Sequence, residues 1–288
     1  MSPNILGALL MMVSMACFTI NDTLVKMTGG VVPLFQLIFL RGLLTSILVI
    51  GSRGRLGRLS FDLQRRDWAL VGLRAMAEVC ATFCFLSALF HMPLGNVTAI
   101  LQALPLTVTL ASALVLREAL GWRRMTAIAI GLVGVLLIIK PGAEGFTVWS
   151  VVALGAVGFV TVRDLATRQL SPEVPSITVT LVSALTVMGS AGVVSLFQPW
   201  APIGGWHATL IAGAAVFILG GYYFSVRVMR VGEVGFIAPF RYTGLVFALI
   251  LGWLAFREWP DNWTLLGAAI VVGTGLFTLY RESKVSRR

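Results

Sequence analysis

The chain has 288 residues, 58% of them hydrophobic and 12% charged, with a mean hydropathy of +0.92. Soluble domains are about 45–50% apolar and about 25% charged, so this composition describes an integral membrane protein. The formal charge of +10 does not point to nucleic acid, because the basic residues sit in short gaps between apolar runs, where they set orientation in a bilayer.

Runs of about 20 mainly apolar residues are long enough to cross a bilayer. They predict ten helices, near 5–27, 33–52, 68–90, 95–116, 124–141, 147–168, 175–197, 207–229, 233–256 and 262–281. The first opens on "MSPNILGALL", which lacks the basic start of a signal peptide, and its apolar run continues too far for one, so it is expected to persist as a helix. It closes on "FTINDTLVK", placing Asn21, Asp22 and Lys26 in an apolar segment. Asp22 and Lys26 are four apart with the acid first, the favourable order for a helical ion pair. The pair reads either as an interfacial anchor or as a gating or proton-coupling element.

The second segment carries Gln36 and Arg41. At about 1.5 Å per residue Arg41 lies on the order of 12 Å from the segment's start, beyond comfortable snorkelling, and it is a candidate for the wall of a central cavity. The linker 52–67 is the longest in the chain and too short for a folded domain. In the third segment Arg74 and Glu78 are again four apart; Glu78 is expected either to pair with Arg41 or to carry a proton, since an ionisable group inside a membrane faces a partner or a cavity. Cys17, Cys80 and Cys84 complete no metal-ligand spacing and read as packing residues, so no metal or cofactor is expected.

The fourth segment offers Asn96, Gln102 and Pro105, and the ninth Pro239, Arg241 and Tyr242. A proline frees a carbonyl one turn earlier and permits a kink, so Pro105 and Pro239 mark either bending points or inert kinks. In the sixth segment Asp164 and Arg168 repeat the spacing of Asp22 and Lys26. Tyr222 and its aromatic neighbours in the eighth segment are deep enough to stack on a planar ligand or simply to pack. The tryptophans fall near segment ends, as interfacial belts require.

With the amino terminus in the cytoplasm, fifteen basic residues fall on the cytoplasmic side: Arg53, Arg55, Arg58, Arg65, Arg66, Arg117, Arg123, Arg124, Arg168, Arg227, Arg230, Arg281, Lys284, Arg287 and Arg288. Three, Lys26, Lys140 and Arg257, fall opposite. That bias predicts both termini inside.

The segments also repeat. "TINDTLVK" (19–26) matches "TVRDLATR" (161–168) at an offset of 142 shared by Pro33 and Pro175, and Arg117-Glu118 and Arg257-Glu258 each precede a glycine-punctuated apolar helix. Two halves of five helices, 1–141 and 142–288, must lie in opposite senses, an inverted repeat of the kind transporters use to open one site to alternate sides. This pattern, with Pro105 and Pro239 in corresponding helices, resembles the EamA branch of the drug/metabolite transporter superfamily over essentially the whole chain. The resemblance implies an all-α integral membrane fold of ten transmembrane helices as two inverted five-helix repeats, in a bacterial inner membrane, as a monomer or homodimer. It implies transport of a small metabolite, with riboflavin as the specific expectation. Amino acids, S-adenosylmethionine and xenobiotics are rivals.

The residues expected to meet substrate are Gln36, Arg41, Gln102, Tyr222, Arg241 and Tyr242; those expected to couple or gate are Asp22, Glu78, Asp164, Pro105 and Pro239. An intramembrane enzyme is the reading from another class, but no nucleophile or metal constellation accompanies His91 and His207, and no P-loop for ATP occurs.

Overall fold

The computed structural model describes residues 3–52, 59–115, 122–140, 147–228 and 238–285. Arg53, Arg55, Arg58, Arg117, Glu118, Arg230, Arg287 and Arg288 lie outside the described residues, as do the side chains of Arg123, Arg124, Pro239, Arg281 and Lys284.

All described regular structure is helical: α1 (Pro3–Lys26), α2 (Leu34–Gly51), α3 (Arg65–His91), α4 (Leu94–Leu101), α5 (Leu104–Val115), α6 (Trp122–Ile139), α7 (Val148–Arg168), α8 (Ser176–Ser195) and α9 (Gly205–Val228), a 3-10 turn (Ala238–Tyr242), α10 (Thr243–Phe256) and α11 (Asn262–Val285). Every predicted segment contains a helix, but the spans are less uniform than expected. Seven stretches among the described residues are long and apolar enough to cross a membrane, α4 and α5 counting as one; Met125–Ile139, Phe240–Phe256 and Asn262–Phe277 are apolar but shorter. The chain is a multi-pass membrane protein.

Local sequence explains the boundaries. Pro33, Pro93 and Pro175 stand immediately before α2, α4 and α8 with extended ψ angles of 140°, 141° and 129°, where a missing N–H costs nothing. After α1 the chain reverses through Gly29 and Gly30 at φ of 63° and 75°, a region open to glycine. The fourth predicted segment breaks at Gln102 and Ala103, where i→i+3 bonds (Ala103 N–H to Ile100, Leu106 N–H to Ala103) replace the α ladder. Pro105, which has no N–H to offer the ladder, follows at once. The described part of the ninth segment opens with a 3-10 turn containing Pro239 and continues as α10. Pro105 thus follows a break in regular helix, and Pro239 lies in a 3-10 turn ahead of α10.

The helices pair mainly across the midpoint of the chain: α1 with α9, α2 with α8, α3 with α7, α4 with α10 and α6 with α11. In the α6–α11 crossing Gly134 and Gly267 face each other; a Cβ on Gly267 would lie 2.5 Å from the Gly134 carbonyl oxygen and 2.8 Å from Ile138. Backbone cannot step aside as a flexible side chain can, so Gly267→Ala is expected to lower stability by about 1–3 kcal/mol, the usual cost of overpacking. Thermal unfolding in detergent measures it, with Gly273→Ala, where a Cβ would meet open space, as the control.

Candidate functional site

A cleft opens between α2, α3, α8 and α9. Ile38, Arg41, Gly42 and Thr45 line it from α2, Arg74, Glu78 and Thr82 from α3, Thr180, Ser183, Ala184 and Val187 from α8, and Ile218 and Tyr222 from α9. These positions recur at steps of three and four, so each helix turns one stripe toward the cleft. The cleft holds about 550 Å³, part of it open to the outside, of which about 60 Å³ admits the centre of a water molecule. It is a contracted space with charged walls.

The charges are organised around Glu78, which is 8% exposed. Arg163 of α7 donates to both its carboxylate oxygens at 3.3 Å, Arg74 lies 3.8 Å away and the Tyr222 hydroxyl donates at 3.4 Å. Arg163 also donates to its neighbour Asp164 at 2.8 and 2.9 Å. Arg74 reaches the hydroxyls of Thr167 and Ser183. Each of these groups thus has the partners that a low-dielectric interior demands.

Arg41 differs. It donates to Asn21 Oδ1 at 3.3 Å, and the Asn21 amide donates in turn to Asp22 Oδ1 at 2.9 Å. Asn21, 1% exposed, therefore stands between guanidinium and carboxylate, and among the described ion pairs neither Arg41 nor Asp22 has a direct partner. Arg41 also borders a second, small and apolar space against Leu210, Ile211 and Ala214 of α9.

Several expected contacts do not form. Asp22 does not pair with Lys26, whose ammonium extends past the end of α1 to Glu258 at 2.6 Å. Asp164 does not pair with Arg168, which donates to Ser112 Oγ at 2.9 Å. A spacing of four allows a helical pair, but carboxylates and hydroxyls on neighbouring helices compete for the long basic side chains and win here. Glu78 meets Arg163 instead of Arg41. Gln36 does not line the cleft: its amide both donates to and accepts from the Ala201 backbone at 2.9 Å, pinning a connection at the opposite end of the bundle. Gln102 is buried at the break between α4 and α5, and Tyr242 is buried with its hydroxyl against Gly275; neither lines the cleft. Arg241 lies within electrostatic reach of Asp164.

Sequence reasoning missed Arg163 and Glu258. Arg163 lies in an apolar run beside Asp164 with no spacing that ties it to Glu78, and Glu258 has the appearance of an ordinary helix-end residue.

Comparison with known proteins decides the family. A model of the EamA-like transporter family matches residues 5–140 and again residues 147–280. The chain belongs to the EamA-like transporter family. It is similar to a riboflavin transporter of Vibrio cholerae (30% identical over 232 residues, 80% of this chain and 77% of the relative). It is also similar to a pseudopaline exporter of Pseudomonas aeruginosa (26% over 269 residues, 92% and 93%) and to an S-adenosylmethionine uptake transporter of Rickettsia conorii (25% over 284 residues, 96% and 93%). A solved crystal structure 18% identical in sequence shares the fold with a TM-score of 0.69, covering 98% of this chain and 99% of that one.

Membership in a transporter family gives the buried charges of this EamA-like protein a setting, and the network makes its own prediction. Removing Glu78 takes away the carboxylate that Arg74, Arg163 and Tyr222 share and leaves Arg163 with Asp164 alone, and breaking a buried pair costs about 3–5 kcal/mol. Glu78→Ala is therefore expected to lower the melting temperature and the folded yield far more than Thr82→Ala on the same stripe.

Proposed function

We propose that this chain is a secondary transporter that carries a small polar or planar metabolite across the bacterial inner membrane by alternating access, with riboflavin uptake as the leading specific reading. One observation carries the proposal: ionisable side chains from α1, α2, α3, α7 and α9 converge around Arg41 in an apolar bundle, where each charge costs about 2.5–3.5 kcal/mol on insertion scales. Charges that saturate one another can hold helices together, but Arg41 lines the cleft bound only through Asn21, which suits a polar cargo.

Helix pairing supports the alternation. Taking 1–141 and 142–288 as halves, the first helix of one pairs with the third of the other in both directions, while second, fourth and fifth helices pair with their counterparts. Exchanging the halves maps this set onto itself, as an in-plane pseudo-twofold between inverted repeats requires. The two successive family matches support the same division. Both termini then lie in the cytoplasm, and the protein functions as a monomer or homodimer.

In this reading Arg41 receives a polar group of the substrate and Tyr222 offers a ring face beside it. Glu78 is a structural partner of Arg163, which leaves Asp22, bound only through Asn21, as the proton-exchanging carboxylate. Ligand sites for molecules of this size run to about 300–1,000 Å³, so loading separates the walls of the contracted cleft. Similarity to the riboflavin transporter of Vibrio cholerae favours riboflavin. A second reading, S-adenosylmethionine or another substrate with an amino-acid end, is favoured by Arg41 itself, since a guanidinium without a direct ion pair suits a carboxylate.

The test is thermal melting of the purified protein against riboflavin, S-adenosylmethionine, nucleosides and amino acids, followed by uptake of the labelled hit. A ligand at about 100 times its Kd stabilises by about 2.7 kcal/mol, a rise of several degrees. Riboflavin is expected to give that rise and to rescue a riboflavin-requiring host; Arg41→Ala removes both without unfolding the protein. Asp22→Asn is expected to keep the melting shift and to lose the dependence of uptake on the pH gradient. A melting shift with another member of the panel, and no rescue by riboflavin, overturns the riboflavin reading.

A further inference from the structure

The two ends of the bundle are held differently. Call the near end the one where α1, α3 and α8 begin, and the far end the one where they finish. Thr45, Arg74 and Thr180 place the polar mouth of the cleft toward the near end. There Arg168 meets a neutral hydroxyl, Ser112 Oγ at 2.9 Å.

At the far end the counterpart of Arg168 under the 142-residue repeat is Lys26, and it is fully engaged. Its ammonium donates to both carboxylate oxygens of Glu258, at 2.6 and 2.8 Å, and to the Met92 carbonyl at 2.8 Å, while standing 4.9 Å from the Phe256 ring. Glu258 in turn accepts the Leu94 backbone N–H at 3.1 Å. Four elements thus converge on one ion pair: the end of α1, the end of α10, the end of α3 and the start of α4. The Lys26 side chain is 10% exposed.

The backbone is shaped for this contact. Arg257, just after α10, takes a left-handed φ of 57°, and the Glu258 N–H folds back to Gly252 at 3.1 Å. A non-glycine residue at positive φ carries strain, which persists only where its surroundings hold it. The turn aims Glu258 across the bundle at Lys26.

A second far-end pair, Lys140 with Asp261 at 2.6 Å, is of another kind. Asp261 also caps α11, accepting the N–H groups of Trp263 and Thr264 at 2.9 and 3.1 Å, so it stays satisfied if Lys140 leaves. Without Glu258, Lys26 keeps the Met92 carbonyl and the Phe256 ring but no opposite charge among its described contacts.

We infer that Lys26 and Glu258 form the far-end latch of the transport cycle: the pair holds the far end shut while the cleft is open at the near end, and its rupture lets the α1–α10 corner part from the α3–α4 corner. The inference rests on the alternating-access reading above. Breaking the pair is expected to shift the resting protein toward a far-open state, and reversing both charges to restore it.

The experiment reads accessibility, not transport. Cys17, Cys80 and Cys84 are replaced by alanine and Val187→Cys supplies one thiol on the cleft wall. A membrane-impermeant maleimide is applied to right-side-out and inverted vesicles, whose sidedness is fixed by proteolysis of a C-terminal tag. With the latch intact, labelling is fast from the near side and slow from the far side. Glu258→Gln, which keeps hydrogen-bonding capacity but loses charge, is expected to raise the far-side rate at least about fivefold and to lower the near-side rate. Lys26→Gln breaks the pair from the other side, and the double exchange Lys26→Glu with Glu258→Lys returns the rates toward the starting values. A measurable far-side rate that neither single variant changes overturns the latch alone. No far-side labelling in any variant overturns alternation itself, and the latch with it.

Discussion

A charge buried in an apolar bundle must find an opposite charge, a hydrogen-bond partner or water, and most of this architecture follows from how that demand is met. Glu78 is the centre of it. Two arginines and a tyrosine hydroxyl, from α3, α7 and α9, converge on one carboxylate, and in doing so they help fix how those helices sit against one another. Apolar packing alone would not specify this, because lipid tails compete on equal terms with leucine side chains and the helices gain little by burying one apolar face rather than another. The small-residue contact of α6 and α11 and the ionic contact of α3 and α7 are thus two answers to the same problem: what can hold helices together where water is absent.

The demand also explains why Arg41 is the interesting residue and Arg163 is not. Both lie deep in apolar runs. Arg163 is saturated by two carboxylates, so a substrate would have to break an existing pair to reach it. Arg41 is tied to Asp22 only through an amide. Interposing Asn21 keeps the two charges close enough to stabilise each other and, in the proposed reading, leaves a guanidinium edge for a cargo. In the proposed cycle, a carboxylate that gains a proton and a guanidinium that gains a substrate group change state in the same few ångströms.

The elements were easier to read from sequence than their contacts. Apolar runs and prolines located all ten segments, since helix length and breaking residues are properties of one stretch of chain. Arg41, Glu78 and Tyr222 could be picked out because a polar residue at mid-segment is conspicuous by itself. What the sequence hid was pairing. Lys26 offered a plausible acid four residues away, yet its partner lies 232 residues downstream. Gln36 suggested a cavity residue because nothing local shows that the Ala201 backbone needs both halves of its amide. Local spacing states which contacts are possible, and the three-dimensional competition among helices chooses between them.

That competition bears on the two ends of the molecule. A perfect inverted repeat would give each end the same closure, and an unbiased equilibrium would populate both states equally. On the proposed inverted repeat, the position that holds Lys26 in the first half holds Arg168 in the second, and among the described contacts the former faces a carboxylate while the latter faces a hydroxyl. A pair of opposite charges adds Coulombic attraction that a guanidinium bonded to a neutral hydroxyl lacks. The difference is enough to tilt the equilibrium toward one state without making the other inaccessible, since a population shift of tenfold needs only about 1.4 kcal/mol. Divergence between the halves is therefore not noise on a symmetric design. In the proposed cycle it is the means by which a symmetric fold acquires a resting state, leaving the cargo only that small bias to overcome.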